Sequence, residues 1–405
     1  MKILIVNKFL YPNGGSETYI FEIGKQLQKM GHEVQYFGME HEGRVVGNHA
    51  ESYTSNMDFH TGKLGKLLYP FKIIYSKEAR KKIRVVLDDF KPDVVHLNNI
   101  NFQITPSILY EIRNYEKKNR NKIKIVATAH DYQWVCPNHM MYIPQQNQIC
   151  ERCINGSYIN CTKHNCIHNS KIKSFLGSVE SYFYHGRKTY DLIDRIICPS
   201  EFLKNQLEKD KVLANKLVTM HNFITVDRED QILRDAEWYQ KGNYVLYFGR
   251  YAKEKGILTL LSVCEQLPTI PFVFAGSGSL EKMVDQCKNV KNVGFQKGDS
   301  LRELIAKARF TVYPSEWYEN CPFSVMESQM LDTPVLGANI GGIPELIRKG
   351  VDGELFESGN VDDLKEKIRE LWGQPDKIRE YSENCRQISY DTIEKYCEML
   401  LGIYQ

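Results

Sequence analysis

Lys2-Ile3-Leu4-Ile5-Val6, followed by Asn13-Gly14-Gly15-Ser16-Glu17, is the stretch that sets the fold. A short apolar run without alternation reads as a strand buried on both faces. Across residues 18–30, Ile20, Ile23, Leu27 and Met30 recur at helical spacing, and Gly31-His32 stops the run. Glu33-Val34-Gln35-Tyr36-Phe37 is the next strand. A strand, a glycine turn at its carboxyl end, a helix and a second strand begin a doubly wound parallel sheet. The opening run is too short for a signal-peptide core, and no apolar stretch approaches the ~18 residues of a membrane span, so a cytoplasmic location is expected.

Further strands are expected at Val94-Val95-His96-Leu97, at 123–129 before His130-Asp131, at Ile196-Ile197-Cys198 and at 217–220. A charged, irregular stretch at 226–241 reads as a linker. The pattern restarts at Tyr244-Val245-Leu246-Tyr247-Phe248 with Gly249-Arg250 and continues through strands at 271–275, 290–295, 310–314 and 334–337. The expected architecture is α/β, with two Rossmann-like domains: an acceptor-side domain at 1–225 and a donor-binding domain at 240–385. The amphipathic stretch 388–404 suits a helix that crosses back, adding 386–405 to the first domain. A length of 405 residues fits two domains, and 42% hydrophobic with 25% charged residues excludes disorder. A net charge of +3 gives no argument for nucleic acid.

Three constellations follow Tyr244, each at the carboxyl end of an expected strand, where open α/β sheets bind ligands. In Gly249-Arg250-Tyr251-Ala252-Lys253-Glu254-Lys255-Gly256, arginine and lysine near a helix start can reach a pyrophosphate, and the guanidinium fork suits oxygens that gain charge as a sugar leaves. A solvated basic turn would look the same. In Ala275-Gly276-Ser277-Gly278-Ser279, glycines let a base or phosphate approach backbone, although a plain turn is the commoner use. The third runs Pro314-Ser315-Glu316-Trp317-Tyr318-Glu319-Asn320-Cys321-Pro322-Phe323-Ser324-Val325-Met326-Glu327. Pro322 suits the first turn of a helix, which leaves the N–H groups of Phe323 and Ser324 to a ligand. Glu319 sits ahead of that helix and Glu327 along it, so the two carboxylates can grip sugar hydroxyls.

The order FGRYAKEKG, FAGSGS and PSEWYENCPFSVMESQMLDTPVLGANIGGIPELI closely resembles the retaining family-4 glycosyltransferases of GT-B fold. The third string holds the family's two glutamates, seven residues apart, and then Gly341-Gly342-Ile343-Pro344-Glu345. The resemblance covers the second half and, more loosely, the first, where Gly14-Gly15-Ser16-Glu17 is similar to the family's glycine loop. It implies that Arg250 and Lys255 contact the donor diphosphate, that Glu319 holds the transferred sugar and Glu327 the ribose, and that Gly14 and Gly15 face the phosphates. Gly249, Gly276, Gly278, Asn320 and Cys321 would complete the donor site. Two domains facing across a cleft, retention of anomeric configuration and catalysis without a metal cofactor are likewise implied. No D-x-D pair is placed to hold a metal. The implied partners are a nucleotide-diphosphate sugar and a saccharide acceptor, polyprenyl-linked and used in surface polysaccharide synthesis.

In the first half, His130 matches the family's histidine near the reacting sugar, with Asp131 and Glu17 on the acceptor side. Cys150-Glu151-Arg152-Cys153 is a zinc half-site that Cys161 and Cys166 would complete, stapling the aperiodic loop 136–170. Free thiols or a redox pair are the plainer alternative. Residues 63–84 interleave eight Lys or Arg with apolar and aromatic residues and can lie peripherally on the anionic inner face of a membrane; a solvated helix fits as well. A nucleotide-sugar epimerase would share the fold but not the glutamate pair. A nicotinamide oxidoreductase lacks its G-x-G-x-x-G after the first strand. A non-catalytic zinc-stabilised sugar-binding protein would need a vestigial donor site.

Overall fold

The structure is a computed structural model and describes residues 1–55, 73–224 and 241–405. The chain divides into two compact units: residues 1–143, 150–221 and 393–405 form the first, and residues 144–149 and 222–392 the second. The crossing helix therefore begins later than expected, at Ile393, because 386–392 go with the second unit. All of the expected linker except Lys241, and the first half of the basic segment at 63–72, lie outside the described residues.

In the first unit the strands β1 (Lys2–Val6), β2 (Glu33–Phe37), β3 (Val94–Leu97), β4 (Lys124–Thr128), β7 (Arg195–Cys198) and β8 (Leu217–Thr219) form a parallel sheet; the two-residue strands β5 (Tyr142–Ile143), of this unit, and β6 (Gln148–Ile149), of the second, stand outside it. The order β2-β1-β3-β4-β7-β8 reverses between β1 and β3, which pair in register from Ile3 opposite Val94 to Val6 opposite Leu97. Helix Gly15–Lys29 follows β1 and buries Tyr19, Ile20, Ile23 and Leu27. The last helix, Ile393–Tyr404, joins this unit through a polar seam. Tyr396 and Tyr19 share a hydroxyl hydrogen bond of 2.9 Å, and Tyr404 meets His96 Nδ1 at 2.7 Å.

The second unit has β9 (Val245–Phe248), β10 (Phe272–Ala275), β11 (Val290–Asn292), β12 (Phe310–Tyr313), β13 (Val335–Ala338) and β14 (Gly353–Phe356) in the order β11-β10-β9-β12-β13-β14, all parallel. Its reversal lies between β9 and β12. β14 and the helices Val361–Gly373 and Pro375–Cys385 extend the expected pattern. Leu260, Phe274, Val312, Met326 and Leu336 fill the core, each 2% exposed or less.

Candidate active site

The loops leaving β9, β10 and β12 form one block. Gly249 N donates to Ala275 O (3.0 Å) and Tyr251 N to Ser277 O (2.8 Å). The glycines of 276–278 are required by this packing: a Cβ on Gly276 would lie 1.9 Å from Gly249 O, and one on Gly278 2.4 Å from Tyr251 O. The neighbouring loop is thus enough by itself to require glycine at both positions.

Lys255 and Glu319 meet at the sheet's reversal point. Lys255 Nζ lies 2.5 Å from Glu319 Oε1, with side-chain exposures of 18% and 11%. Trp317 Nε1 (2.6 Å) and Ser315 Oγ (3.1 Å) donate to the same oxygen. Burial pushes the Glu319 carboxyl toward the neutral acid, but the Lys255 charge and these donors outweigh it and hold it below the usual range. The backbone is fixed as well. Gly342 N donates to Glu319 O at 2.7 Å, and Gly341, at φ +61°, passes so close that a Cβ would sit 2.4 Å from that oxygen. The Lys255 ammonium lies 5.3 Å from the Trp317 ring centroid and retains N–H groups beyond the one given to Glu319.

Arg250 is brought to the same loop but points outward: its side chain is 60% exposed and pairs with Glu254 at 2.9 Å. Pro322 caps helix Phe323–Met330, so Phe323 and Ser324 occupy its first two positions, where N–H groups have no acceptor within the helix. Cys321 is buried and its carbonyl accepts from Asn222 Nδ2 at 2.8 Å, a scaffold position. Glu327 is half-buried on the helix, and desolvation raises its carboxyl above the usual range. Asn320 is half-buried beside Glu319.

Glu316, within the quoted string but given no role by it, anchors this loop. Its carboxylate accepts from Thr259 Oγ1 at 2.5 Å and from Asn147 Nδ2, which belongs to the 144–149 segment of the same unit. No spacing signal could have found Asn147, because its loop has no periodicity.

In the first unit the glycine turn, Asn98, Asn99 and His130 converge at the β1/β3 reversal. Asn99 Nδ2 donates to Ser16 Oγ (3.0 Å), and His130 Nε2 meets Asn98 Oδ1 at 2.8 Å. Burial holds His130 near pKa 3, so the ring is neutral at pH 7. Glu17 is 2% exposed and accepts from Asn7 Nδ2 and Ser16 Oγ, both at 2.9 Å, which turns its carboxylate inward beneath Gly14. Asp131 Oδ1 accepts from Gln133 N at 2.9 Å, and Oδ2 lies 3.7 Å from His139 Nδ1.

Cys153, Cys161 and Cys166 pack with Ile143 and Tyr158 in a buried cluster, with Cys150 on its edge. Cys166 N donates to Cys161 O at 3.2 Å, which folds the two residues together. Among the described residues, no group of three or more His, Cys, Asp or Glu side chains is arranged to hold a metal ion, so geometry adds nothing to the zinc expectation.

Residues 13–228 match the family model described as Glycosyltransferase Family 4, and 228–388 match Glycosyl transferases group 1. The chain belongs to glycosyltransferase family 4. An uncharacterised glycosyltransferase of Methanocaldococcus jannaschii is 26% identical over 58% of this chain and 65% of its own length. A protein of the cps region of Klebsiella pneumoniae is 23% identical over 86% of this chain and 88% of its own. Among solved structures, Anabaena HepE in complex with UDP superposes with a TM-score of 0.66 at 16% identity over 99% of both chains. That likeness establishes the GT-B fold of two parallel-sheet α/β domains for this family-4 chain.

Proposed function

We propose that this family-4 protein transfers a hexose or N-acetylhexosamine from a nucleoside-diphosphate sugar to a saccharide acceptor with retention of anomeric configuration. The observation that carries the reading is the Lys255–Glu319 ion pair at the β9/β12 reversal, fixed by Trp317, Ser315 and Gly342.

In this reading Arg250 and the remaining N–H groups of Lys255 take the diphosphate oxygens, and their charge stabilises the leaving nucleotide. Phe323 and Ser324 offer N–H groups to the same anion. Glu319 holds the donor sugar's hydroxyls and Glu327 the ribose. Neutral His130 donates a hydrogen bond near the anomeric carbon and does not act as a base. The acceptor oxygen attacks the face the nucleotide leaves. As the bond from the anomeric carbon to phosphate oxygen breaks and the glycosidic bond forms, the departing phosphate takes the acceptor's proton. No step calls for a metal. The UDP held by Anabaena HepE makes UDP-sugars the first donors to try.

Relatives support a saccharide or glycolipid acceptor: the Klebsiella cps-region protein, an alpha-galactosylglucosyldiacylglycerol synthase of Streptococcus pneumoniae and a lipopolysaccharide 1,2-N-acetylglucosaminetransferase of Salmonella typhimurium. The proposed acceptor is lipid-linked, at the inner face of the cell membrane, in surface polysaccharide synthesis. Structural zinc at Cys150, Cys153, Cys161 and Cys166 is retained on sequence spacing alone, with no catalytic part. Folded protein without stoichiometric zinc removes it.

The test is nucleotide release from a panel of UDP-, GDP- and ADP-sugars with candidate acceptors, followed by NMR of the product. Acceptor-dependent release with an unchanged anomer is expected. An inverted anomer overturns retention. Conversion of the donor to its epimer without transfer overturns the transferase reading.

A further inference from the structure

Helix Lys171–Gly186 of the first unit is turned inside out relative to an ordinary amphipathic helix. Its inward face carries Ser174, Gly177, Ser178 and Ser181, all buried. Ser178 Oγ lies 2.9 Å from Thr162 Oγ1 and donates to Tyr158 O at 2.7 Å, while Ser174 Oγ accepts from Ile167 N at 3.0 Å. Gly177 lets the helix press so close that a Cβ would meet Ile167 Cδ1 at 2.5 Å. Apart from Tyr184, which is buried on the inward side, the apolar residues lie on the outward arc. Ile172 is 74% exposed, Phe175 50% and Tyr182 45%, with Leu176, Val179 and Phe183 half-buried on the same arc. Ile159, 40% exposed, stands on helix Ile159–Lys163, which packs against this one.

The charge around this stripe is mainly positive. Residues 159–190 contain Lys163, Lys171, Lys173, Arg187 and Lys188, all exposed. Their single acid, Glu180, is 1% exposed and faces inward. The Arg187 guanidinium lies 5.4 Å from the Phe183 ring centroid at the helix end. An apolar face that exposes two aromatic rings and is rimmed mainly by cations, with Asp191 beside Lys188 as an exposed acid, fits a surface that is apolar within and anionic at its border.

We propose that the outward face of helix Lys171–Gly186 docks on a bilayer interface carrying anionic lipid headgroups, with Ile172 and Phe175 entering the acyl boundary and Lys171, Lys173, Arg187 and Lys188 at the phosphates. No helix among the described residues is long and apolar enough to cross a membrane, so the contact is peripheral. The proposal draws its purpose from the lipid-linked acceptor reading above. Its test needs neither donor nor turnover, so either can fail alone.

Flotation of the full chain with phosphatidylcholine vesicles, with and without phosphatidylglycerol, reads the contact directly. Wild type is expected to bind the anionic vesicles at least about tenfold more tightly than the neutral ones. Ile172→Ser with Phe175→Ser should lower that binding about tenfold, with an unchanged melting curve because both side chains are exposed. Lys171→Glu with Lys173→Glu should abolish the preference for anionic lipid. Undiminished binding of the serine variant, no binding by wild type, or a wild-type dimer in sedimentation that Phe175→Ser separates would each overturn the proposal.

Discussion

Lys255 Nζ and Glu319 Oε1 are 2.5 Å apart beneath the Trp317 indole, and each is the other's counter-charge in a largely dehydrated place. Lys255→Ala leaves a buried carboxylate without its partner, a change that costs about 3 kcal/mol in comparable pairs. Urea unfolding should show that loss, and donor turnover should fall at least about a hundredfold. Glu319→Gln keeps the shape and should unfold closer to wild type while losing turnover. Equal stability of Lys255→Ala and wild type would dissolve the pair as a structural element.

The first unit should weaken in mild acid. Burial holds His96 and His130 near pKa 3, against about 6.5 when unfolded. A depressed folded pKa means that the unfolded chain binds the extra protons, so stability is complete above about pH 6.5 and declines toward pH 3. The slope approaches about 1.4 kcal/mol per pH unit for each ring. Denaturant midpoints measured from pH 7 to pH 4 check it, and His130→Gln should flatten part of the slope.

Glu180 tilts the curve the other way at higher pH. Its buried carboxyl is raised to about 8 by desolvation, and Oε1 has no hydrogen-bond partner among the described residues. The folded state therefore holds a proton that the unfolded state releases above about pH 4.5. Stability from this group is present below that value and is lost as pH rises through 8. Glu180→Gln should raise the melting temperature at pH 8.5 by several degrees and do little at pH 4.5. A variant that melts alike at both would mean the carboxyl reaches water.

Gly276→Ala drives a Cβ into Gly249 O, a backbone atom that no rotamer can move aside. A loss of about 2 kcal/mol is expected, together with weaker donor binding by calorimetry, because the β9 loop that carries Arg250 must shift. Gly373→Ala, where nothing lies within 4 Å, is the control and should be neutral.

The sheet strands expected from the sequence lie where their apolar runs placed them, because a parallel sheet covered on both faces leaves little ambiguity in a run such as Val94-Val95-His96-Leu97. The strand expected at 290–295 is shorter, since pairing ends at Asn292 and Phe295 is 70% exposed. In the site, Lys255 and Glu319 were legible as types, but their direct pairing was not, because spacing along the chain says nothing about which loop ends meet. The inward turn of the Glu17 carboxylate was not legible for the same reason: it depends on Asn7, ten residues earlier, as well as on Ser16. The exposed stripe of Lys171–Gly186 has an ordinary amphipathic pattern in sequence. Only burial tells which of its faces is the inner one.

The seam formed by Tyr396 and Tyr404 with Tyr19 and His96 sets an order of events during synthesis. Residues 393–404 leave the ribosome after the whole of the second unit, yet they complete the polar interior of the first. The half of the molecule made first is thus the half finished last, and until then its His96 and Tyr19 wait for the hydroxyls of Tyr404 and Tyr396.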